Sequence, residues 1–402
     1  MENFIILIQI IELIMYIYLA IAVFYIFIFS IAGKFKTVKN KSNLNEYRKF
    51  ALLIPAYKED NVIVNVAQQA LKQSYPQNLY DVVVIADSLK PDTLNQLKKL
   101  PIRLIEVSFE KSTKSKALNK GMDIIGDNYD IALVLDADNI MEYDFMSKIN
   151  NAFNNTCKVV QGHRMAKNIN TNFAVLDAVS EEINNHIFRK GHRVLGLSAA
   201  LIGSGMAFDY SLFKSMMKNV KAVGGFDKEL ELNLLSNKIK IEYLEDAVVF
   251  DEKVSKPKTF SNQRKRWLSA QFVYFKKYFL SGIYHLFTKG NIDFFDKVYQ
   301  MALPPRILLL GILTIVTIAN YLFLTIYSQA ETTSLYFNTV NWMILLILTI
   351  VSFLLATPGK YYNLKTLKAV LTLPKVFFIM FLVLFKLKNA NKKFIHTIHN
   401  HP

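Results

Sequence analysis

The chain has 402 residues, 52% of them hydrophobic, and its 48 basic residues outnumber 32 acidic ones to give a net charge of +16. The apolar fraction is high for a soluble protein and indicates membrane-spanning segments. Many lysines flank apolar runs and no RNA-binding or zinc-finger pattern occurs, so the positive charge predicts a lipid bilayer as partner and no nucleic acid. The single cysteine, Cys157, excludes an internal disulfide, which fits a reducing cytoplasm.

Three uncharged apolar runs are each close to the roughly 20 residues that a membrane-spanning helix needs. They are Leu13–Ala32, Ile307–Ile326 and Tyr336–Ala356. Lysines follow the first run directly, so the positive-inside rule predicts an uncleaved anchor with the chain from residue 34 onward in the cytoplasm. We therefore expect a multi-pass protein of the cell (inner) membrane whose polar domain is cytoplasmic.

Composition divides the chain into five parts. They are an N-terminal transmembrane anchor (1–33), a cytoplasmic domain (47–266), aromatic and lysine-rich interfacial helices (267–304), a transmembrane hairpin (305–356), and an interfacial helix with a basic cytoplasmic tail (357–402). In the last part, Pro374 and Lys375 interrupt the apolar stretch Ala369–Phe385. Spanning would place the basic tail outside the cell, so we expect this stretch to be interfacial or re-entrant.

Short apolar runs alternate with amphipathic ones through the polar domain. FALLIPA, DVVVIAD, IRLIEVSF and DIALVLDAD are rich in Val, Ile and Leu without alternation, which is typical of strands buried on both faces. The segments NVIVNVAQQALKQ and SKALNKGMDII show helical spacing. This alternation predicts an α/β domain with a mostly parallel sheet, in which ligands bind at the carboxyl ends of the strands.

Polar side chains cluster where these strands are expected to end. Asp87 follows the second run, Asp136 and Asp138 end the fourth, and Lys114 lies at the start of a helix. Two carboxylates one residue apart suit a divalent cation and the diphosphate it bridges, although such a pair can also merely cap a helix. A lysine near a helix N-terminus suits phosphate oxygens. No Walker or GxGxxG motif is present, which disfavours an ordinary ATPase or dinucleotide enzyme.

The segment QRKRW contains Gln263, Arg266 and Trp267 at the end of the polar domain. It could be a basic interfacial anchor with a tryptophan at headgroup level. It could also be a clamp for a diphosphate, with an aromatic platform for a sugar ring. His163 and His186 could bind metal, but solvated or core histidines are the more common outcome.

In chain order, these motifs resemble the family 2 inverting glycosyltransferases, and specifically the membrane-integrated branch that contains cellulose, hyaluronan and chitin synthases. The resemblance covers about Phe50–Trp267. IPAYKED and VVVIADS resemble two nucleotide motifs of the family, although Ala86 replaces an aspartate. KSKALN resembles its lysine motif, with Thr113 where glycine is usual, and LIGSGMAF resembles its acceptor loop.

The resemblance implies a GT-A fold (Rossmann-like, with a mostly parallel sheet), a UDP-sugar donor and Mg²⁺ or Mn²⁺. The residues implied to bind the donor are Ala56, Tyr57, Glu59, Asp87, Lys114, Asp136, Asp138, Gln263, Arg266 and Trp267. Asp138 would also ligate the metal. The acceptor would contact Gly203, Ser204, Gly205 and Trp267.

The resemblance also bears on the catalytic base, for which Glu229 and the Glu245–Asp246 pair are candidates. GGFDKELELNLLSNK is typical of a helix capped by Asp227, and the strand IKIEYL follows it. On the family pattern, Lys228–Glu229 takes the position of the acidic motif, and the helix dipole would keep Glu229 ionised. Glu245–Asp246 is interpreted as a solvated acidic turn after the strand. We expect Glu229→Gln to abolish transfer and Asp246→Asn to be milder.

Three functions are open at this point. One is a synthase that extends a capsule-type polysaccharide or exopolysaccharide, and another is a non-processive enzyme that adds one sugar to a membrane lipid or lipid-linked acceptor. Three spans are few for enclosing a polymer channel, so a synthase would need a homo-oligomer or an accessory membrane subunit. An inactive membrane scaffold is disfavoured because both the DxD and the QxxRW motifs are intact.

Overall fold

The computed structural model describes residues 2–36, 46–155, 157–220, 224–326 and 339–387. Within these residues, eight strands form one sheet in the order β3-β2-β1-β4-β7-β6-β8-β5. The strands are β1 (Phe50–Tyr57), β2 (Tyr80–Asp87), β3 (Arg103–Val107), β4 (Ile131–Val134), β5 (Ile140–Met141), β6 (Val159–Ala166), β7 (Met206–Asp209) and β8 (Glu242–Asp251).

Some of the helices pack against this sheet, and others form the long apolar segments of the chain. They are α1 (Glu2–Ala32), α2 (Ile63–Ala70), α3 (Pro91–Leu97), α4 (Lys114–Ile125), α5 (Phe145–Asn154), α6 (Asn172–Asn184), α7 (His192–Val194), α8 (Tyr210–Met217), α9 (Phe226–Ser236), α10 (Pro257–Lys289), α11 (Ile292–Gln300), α12 (Arg306–Ile326), α13 (Thr339–Ala356), α14 (Leu364–Val370) and α15 (Leu373–Leu384). A π-helix, Asn185–Gly191, joins α6 to α7.

The four apolar runs form the parallel half of the sheet, as the sequence predicts. β1 pairs in parallel with β2 and with β4, and β2 pairs in parallel with β3. Leu52, Val83 and Leu133 are fully buried, because helices cover both faces of these strands. The fold is therefore mixed α/β with a mostly parallel sheet, consistent with GT-A.

The second half of the sheet contains features that the sequence did not predict. β7 runs antiparallel to both β4 and β6, and β8 runs parallel to β6. The strand predicted at IKIEYL begins instead at Glu242 and continues through Asp251. Glu245 and Asp246 are exposed as predicted, but they lie within β8 and not in a turn after it. The strand continues past them because its register against β6 shifts next to Gly162, which accommodates the extra residues as a bulge.

Helix α9 also begins differently from the prediction. Its N-cap is Gly225, whose φ of 69° is in the left-handed region that glycine adopts readily. Asp227 is therefore the second residue of the helix and not its cap. This shift matters for the site, because it changes which side chains of the first turn face the same way.

Three helices in the described residues are long and apolar enough to cross a membrane, namely Gln9–Ala32, Arg306–Phe323 and Thr339–Ala356. The predicted start of the third run, Tyr336, and most of the basic tail lie outside the described residues. Helices α14 and α15 meet at a bend of 45°, a geometry found in broken spans and in re-entrant segments. α10 runs continuously through residue 266, so no break in the helix separates the polar domain from the segment that follows it.

The N-terminal helix is docked tightly on the polar domain. A Cβ atom on Gly191 of the π-helix would overlap the backbone oxygen of Phe29, and one on Gly33 would overlap the His186 ring. His186 is half-buried and its Nε2 lies 2.8 Å from the Ser30 carbonyl oxygen, so it is a packed histidine and not a metal ligand. Glycine at both positions lets the two helices approach at backbone distance.

Candidate active site

A cavity of about 590 Å³ lies at the carboxyl ends of β1, β2 and β4. The chain turns sharply away after two of these strands, since Lys58 and Ser88 have φ angles of 57° and 59°. Asp87 ends β2 and is 2% exposed, and Ser88 donates a 3.0 Å hydrogen bond to it. The carboxyl ends of the parallel strands therefore face an open space, as the doubly wound topology predicts.

Every residue predicted to bind a nucleotide sugar lines this cavity. They are Ala56, Tyr57, Glu59, Asp87, Lys114, Asp136, Asp138, Gln263, Arg266 and Trp267. These residues are separated by up to 211 positions in the sequence, between Ala56 and Trp267. The fold thus assembles one wall from the ends of three strands, the start of α4 and one face of α10.

Lys114 is held at the centre of this wall. Thr113 caps α4 by accepting a hydrogen bond from the Lys116 amide at 3.2 Å, which places Lys114 in the first turn. The Lys114 ammonium forms an ion pair with Asp136 and donates a 2.6 Å hydrogen bond to the carbonyl of Gly203. A cation fixed at a helix N-terminus is well placed for phosphate oxygens.

Asp138 is the residue best placed to ligate a divalent cation. Its side chain is 7% exposed, and its Oδ2 accepts a 3.4 Å hydrogen bond from the Glu252 amide. No group of three acidic, histidine or cysteine side chains that could hold a metal occurs among the described residues. Mg²⁺ or Mn²⁺ would fit here only with diphosphate oxygens completing its shell, which is the usual arrangement when a metal binds together with a phosphorylated substrate.

Of the three residues predicted to contact the acceptor in this loop, only Gly203 lines the cavity, next to Leu201 and Ile202. Ser204 is fully buried behind it, where its Oγ accepts hydrogen bonds from the Asp136 amide at 2.9 Å and from the Asn139 side chain at 2.6 Å. The Gly205 amide donates to the Val134 carbonyl at 2.9 Å. Ser204 and Gly205 therefore support the turn that carries Asp136 and do not line the cavity.

The Glu229 carboxylate faces away from the cavity. It is 5% exposed, its Oε1 accepts a 2.8 Å hydrogen bond from Lys277, and its Oε2 is buried without a partner in the described part of the chain. Asp227, two residues earlier, lines the cavity beside Gly203. Glu231 also lines the cavity, but it forms an ion pair with Lys297 at 3.0 Å and accepts a hydrogen bond from the Leu201 amide. Two α9 carboxylates thus lie at the cavity, and of these Glu231 is already held in an ion pair.

The QRKRW segment lies on one face of α10, where Gln263, Arg264, Arg266 and Trp267 all line the cavity. The Arg264 guanidinium lies 4.4 Å from the centre of the Trp267 ring and forms an ion pair with Asp177. Burial lowers the pKa of Arg266, and the negative charge of Asp136, which lines the same cavity, opposes that shift. This placement favours a ligand clamp over a simple interfacial anchor.

Residues 48–270 match the family model described as "Glycosyltransferase like family 2". The chain belongs to this glycosyltransferase family. Among solved structures, the mannosyltransferase PcManGT from Pyrobaculum calidifontis, in complex with GDP-Man and Mn²⁺, is 16% identical, with a TM-score of 0.50 over 84% of this chain and 96% of its own. That likeness shows a shared fold extending beyond the family match.

A fragment of S. aureus TarS, residues 1-349 in complex with UDP, is also 16% identical, with a TM-score of 0.36 over 55% of this chain and 64% of its own. A search of curated protein sequences finds no match.

The cavity of this family 2 glycosyltransferase has a second region that the motifs do not include. It is lined by one face of α6, where Ser180, Glu181 and Asn184 point inward, and by Arg164 and Arg189. Burial alone would raise the pKa of Glu181, but Arg164, Lys253 and Arg189 hold it well below its usual range. Sequence patterns do not reveal this region, because its charged residues come from β6, α6, the π-helix and the segment after β8, none of which contains a recognisable motif.

Proposed function

We propose that this protein is a membrane-bound inverting glycosyltransferase that transfers a sugar from a nucleoside-diphosphate donor, first of all a UDP-sugar, to an acceptor at the membrane. The observation that carries the proposal is the convergence of all the predicted donor residues on one cavity at the carboxyl ends of the parallel strands. The membership of family 2 and the three membrane-type helices support it.

In this proposal, cationic and acidic groups share the binding of the donor. Asp87 receives the nucleoside, and Lys114 and Arg266 bind the diphosphate. A divalent cation held by Asp138 would supply neutralisation of the charge that develops on the departing diphosphate. Ser204 keeps the amide of Asp136 in place, so the two carboxylates stay in the orientation that binding requires.

The catalytic base that we propose is Asp227, not Glu229. Asp227 lies at the cavity in the first turn of α9, where the helix dipole favours an ionised carboxylate. It takes the proton of the acceptor hydroxyl as that oxygen bonds to the anomeric carbon and the bond from that carbon to the nucleoside diphosphate breaks. Lys277 of α10 donates a hydrogen bond to Oε1 of Glu229. In this proposal, that carboxylate stabilises the packing of α9 on α10.

The cavity wall includes Ile307 of α12 and Met380 of α15, helices of the membrane-type part of the chain. This contact favours an acceptor carried by a lipid. Extension of a polysaccharide is the second candidate, favoured by the Trp267 ring at the cavity, since such rings stack on sugars.

A donor screen with purified full-length protein and membrane lipid tests the proposal. Release of nucleotide is measured with UDP-Glc, UDP-GlcNAc, UDP-Gal, UDP-GlcA and GDP-Man, with and without EDTA, and the products are sized. We expect release with at least one donor, its loss with EDTA and its loss in Asp138→Asn. Asp92→Asn, which removes an exposed carboxylate from α3, is the matched control and should behave as wild type. Absence of both nucleotide binding and release with every donor would reject the function.

A further inference from the structure

The second region of the cavity contains a group of buried charged side chains that are not among the predicted donor-binding residues. We call it the arginine cluster, and its members are the cations Arg164, Arg189, Lys253, Arg264 and Arg306 with the carboxylates Asp177, Glu181 and Asp251. The five cations have only three carboxylates as counter-charges. The neighbouring Glu182 and Glu231 have cations of their own, Lys360 and Lys297. The cluster therefore has an excess of two positive charges.

That excess is costly in an environment with little water. The side chains of Arg189 and Lys253 are 2% and 3% exposed, and those of Arg164 and Arg264 are 12% and 14% exposed. A buried charge without a counter-charge lowers the stability of the folded protein unless something else neutralises it. An anionic ligand would do so.

Within the part of the chain that the structure describes, Arg306 is the one cation of the cluster that forms no ion pair with a carboxylate. Its Nη2 donates to the carbonyl and to the hydroxyl of Ser180, both at 2.9 Å. Its Nη1 is buried and has no hydrogen-bond partner within the described residues. Arg264 pairs with Asp177, and Asp177 and Ser180 are three residues apart on α6, so both guanidinium groups bind the same face of that helix. Arg264 has Asp177 as its carboxylate partner, whereas Arg306 contacts only the neutral groups of Ser180. Two guanidinium groups that share so little negative charge suit a phosphate-like anion.

The surroundings of Arg306 are apolar. It is the first residue of α12, one of the candidate membrane spans, and Leu303, Ile307 and Met380 line the cavity around it. A phosphate bound there would lie at the boundary between the polar domain and the apolar helices. This is the depth at which a lipid carries its phosphate.

We propose that the arginine cluster binds the phosphate of a lipid acceptor, with the apolar chain of that lipid lying along Ile307 and Met380. This inference rests on the proposed transferase function and specifies its acceptor as a phosphate-bearing lipid. A neutral polysaccharide would leave the two excess charges uncompensated.

Equilibrium binding of three probes tests the inference on the purified full-length protein in neutral detergent. The probes are farnesyl phosphate, farnesol, which has the same chain without the phosphate, and inorganic phosphate. Binding can be followed by tryptophan fluorescence, because Trp267 is one of only two tryptophans and lines the cavity. We expect farnesyl phosphate to bind at least tenfold more tightly than either of the other probes, and Arg306→Gln to remove that preference.

Two control variants separate charge from structure. Ser180→Ala removes the hydroxyl that Arg306 contacts but keeps the backbone carbonyl and the cation, so the preference should persist. Lys375→Gln removes an exposed cation from α15 and should also keep it. Equal binding of farnesyl phosphate and farnesol, or an unchanged preference in Arg306→Gln, would refute the inference. Inorganic phosphate binding as tightly as farnesyl phosphate would indicate a soluble anion and refute the lipid.

The outcome for the transferase function is read separately. UDP binding and nucleotide release by the wild-type protein report on that function and need none of the three probes. Their absence rejects the transferase. Their presence, with no preference for the phosphate, rejects only the lipid-phosphate acceptor.

Discussion

At the level of single residues, the rotation of a helix decides which carboxylates of α9 face the cavity. Each residue of an α-helix turns the side-chain direction by about 100°, so positions two apart point about 200° from each other. Asp227 and Glu231 are four apart and both line the cavity, whereas Glu229 faces Lys277 on the opposite side. The resemblance to the family predicted an acidic residue in this turn. It could not predict the residue at which the helix begins.

The assignment of the base leads to a paired prediction. Asp227→Asn should lower the rate of transfer by about 10²–10⁴-fold, the usual contribution of a general base, without weakening UDP binding. Glu229→Gln should retain most of the activity and lower the thermal stability, because it loses the charge that pairs with Lys277. Single-turnover transfer and UDP titration on both variants measure the difference. A larger loss of activity in Glu229→Gln than in Asp227→Asn would return the role to Glu229.

Glu181 provides a second test at this scale. Its carboxylate pairs with both Arg164 and Arg189 and lies 4.0 Å from the Lys253 ammonium. Removing one partner of a buried ion pair typically costs about 3–5 kcal/mol, so Glu181→Gln should strongly lower the unfolding temperature. The exposed pair of Lys98 and Glu106 is the control, and Glu106→Gln should cost only about 0–1 kcal/mol. Similar losses in the two variants would contradict the burial argument.

The same carboxylate gives the protein an acid-sensitive component of stability. The pKa of Glu181 in the folded protein is lowered below its ordinary value of 4.5. Its contribution is therefore complete above about pH 4.5 and is lost as the pH falls toward the lowered folded pKa. Thermal unfolding from about pH 5 to about pH 3 should show a steeper decline in the wild type than in Glu181→Gln. Parallel declines would show that other groups dominate acid sensitivity.

At the level of elements, periodicity predicted β1 to β4, α2 and α4. Continuous apolar runs are typical of buried strands, and amphipathic runs with helical spacing are typical of helices. It did not predict the antiparallel strand β7, whose sequence MAFD is too short for a pattern. Nor did it predict that β8 continues through Glu245 and Asp246, because a bulge depends on the neighbouring strand. The cavity positions of Asp87, Asp136 and Asp138 were predictable because these residues follow strands, whereas those of Gln263, Arg266 and Trp267 rested on the resemblance to the family. The arginine cluster was not, because its members meet only through tertiary packing.

The contact between α12 and α15 supports one prediction at this scale. A Cβ atom on Gly311 would overlap the Phe377 ring, so the two helices pack closely only because position 311 is glycine. Gly311→Ala should destabilise the protein by about 1–3 kcal/mol through overpacking, and adding Phe377→Ala should restore part of the loss. Thermal unfolding of the single and double variants measures this. Gly359→Ala, where a Cβ meets no atom within 4 Å, is the neutral control.

At the level of the whole molecule, the polar domain and the N-terminal helix behave as one unit. The Tyr25 hydroxyl of α1 donates a 2.6 Å hydrogen bond to Asp296 of α11, and the ring of Phe29 stacks on His192 at 3.7 Å. Together with the backbone contact at Gly191, these interactions join the candidate membrane span to helices on both sides of the cavity. The anchor is therefore part of the tertiary structure.

Gly191 provides the prediction for this scale. Gly191→Ala places a methyl group against the Phe29 backbone, which cannot move aside as a side chain can. We expect faster hydrogen exchange in the last turns of α1 and in Asn185–Gly191, with β1 and β2 unchanged. Gly33→Ala should be milder, because its closest backbone contact, the His186 oxygen at 2.8 Å, is less severe than the contact of Gly191→Ala with the Phe29 oxygen. Unchanged exchange in Gly191→Ala would show that the anchor docks without this contact.

The close contacts of Gly33 with His186 and of Gly191 with Phe29 also have a mechanical consequence. A helix that spans a bilayer adjusts its tilt to the thickness of the surrounding lipid. Because α1 meets the polar domain at backbone distance at Gly191, a change in the tilt of α1 would be transmitted to the polar domain through this contact. Under the proposed function, the thickness of the bilayer would then influence the depth at which the cavity meets the lipid headgroups, and with it the acceptors that can enter.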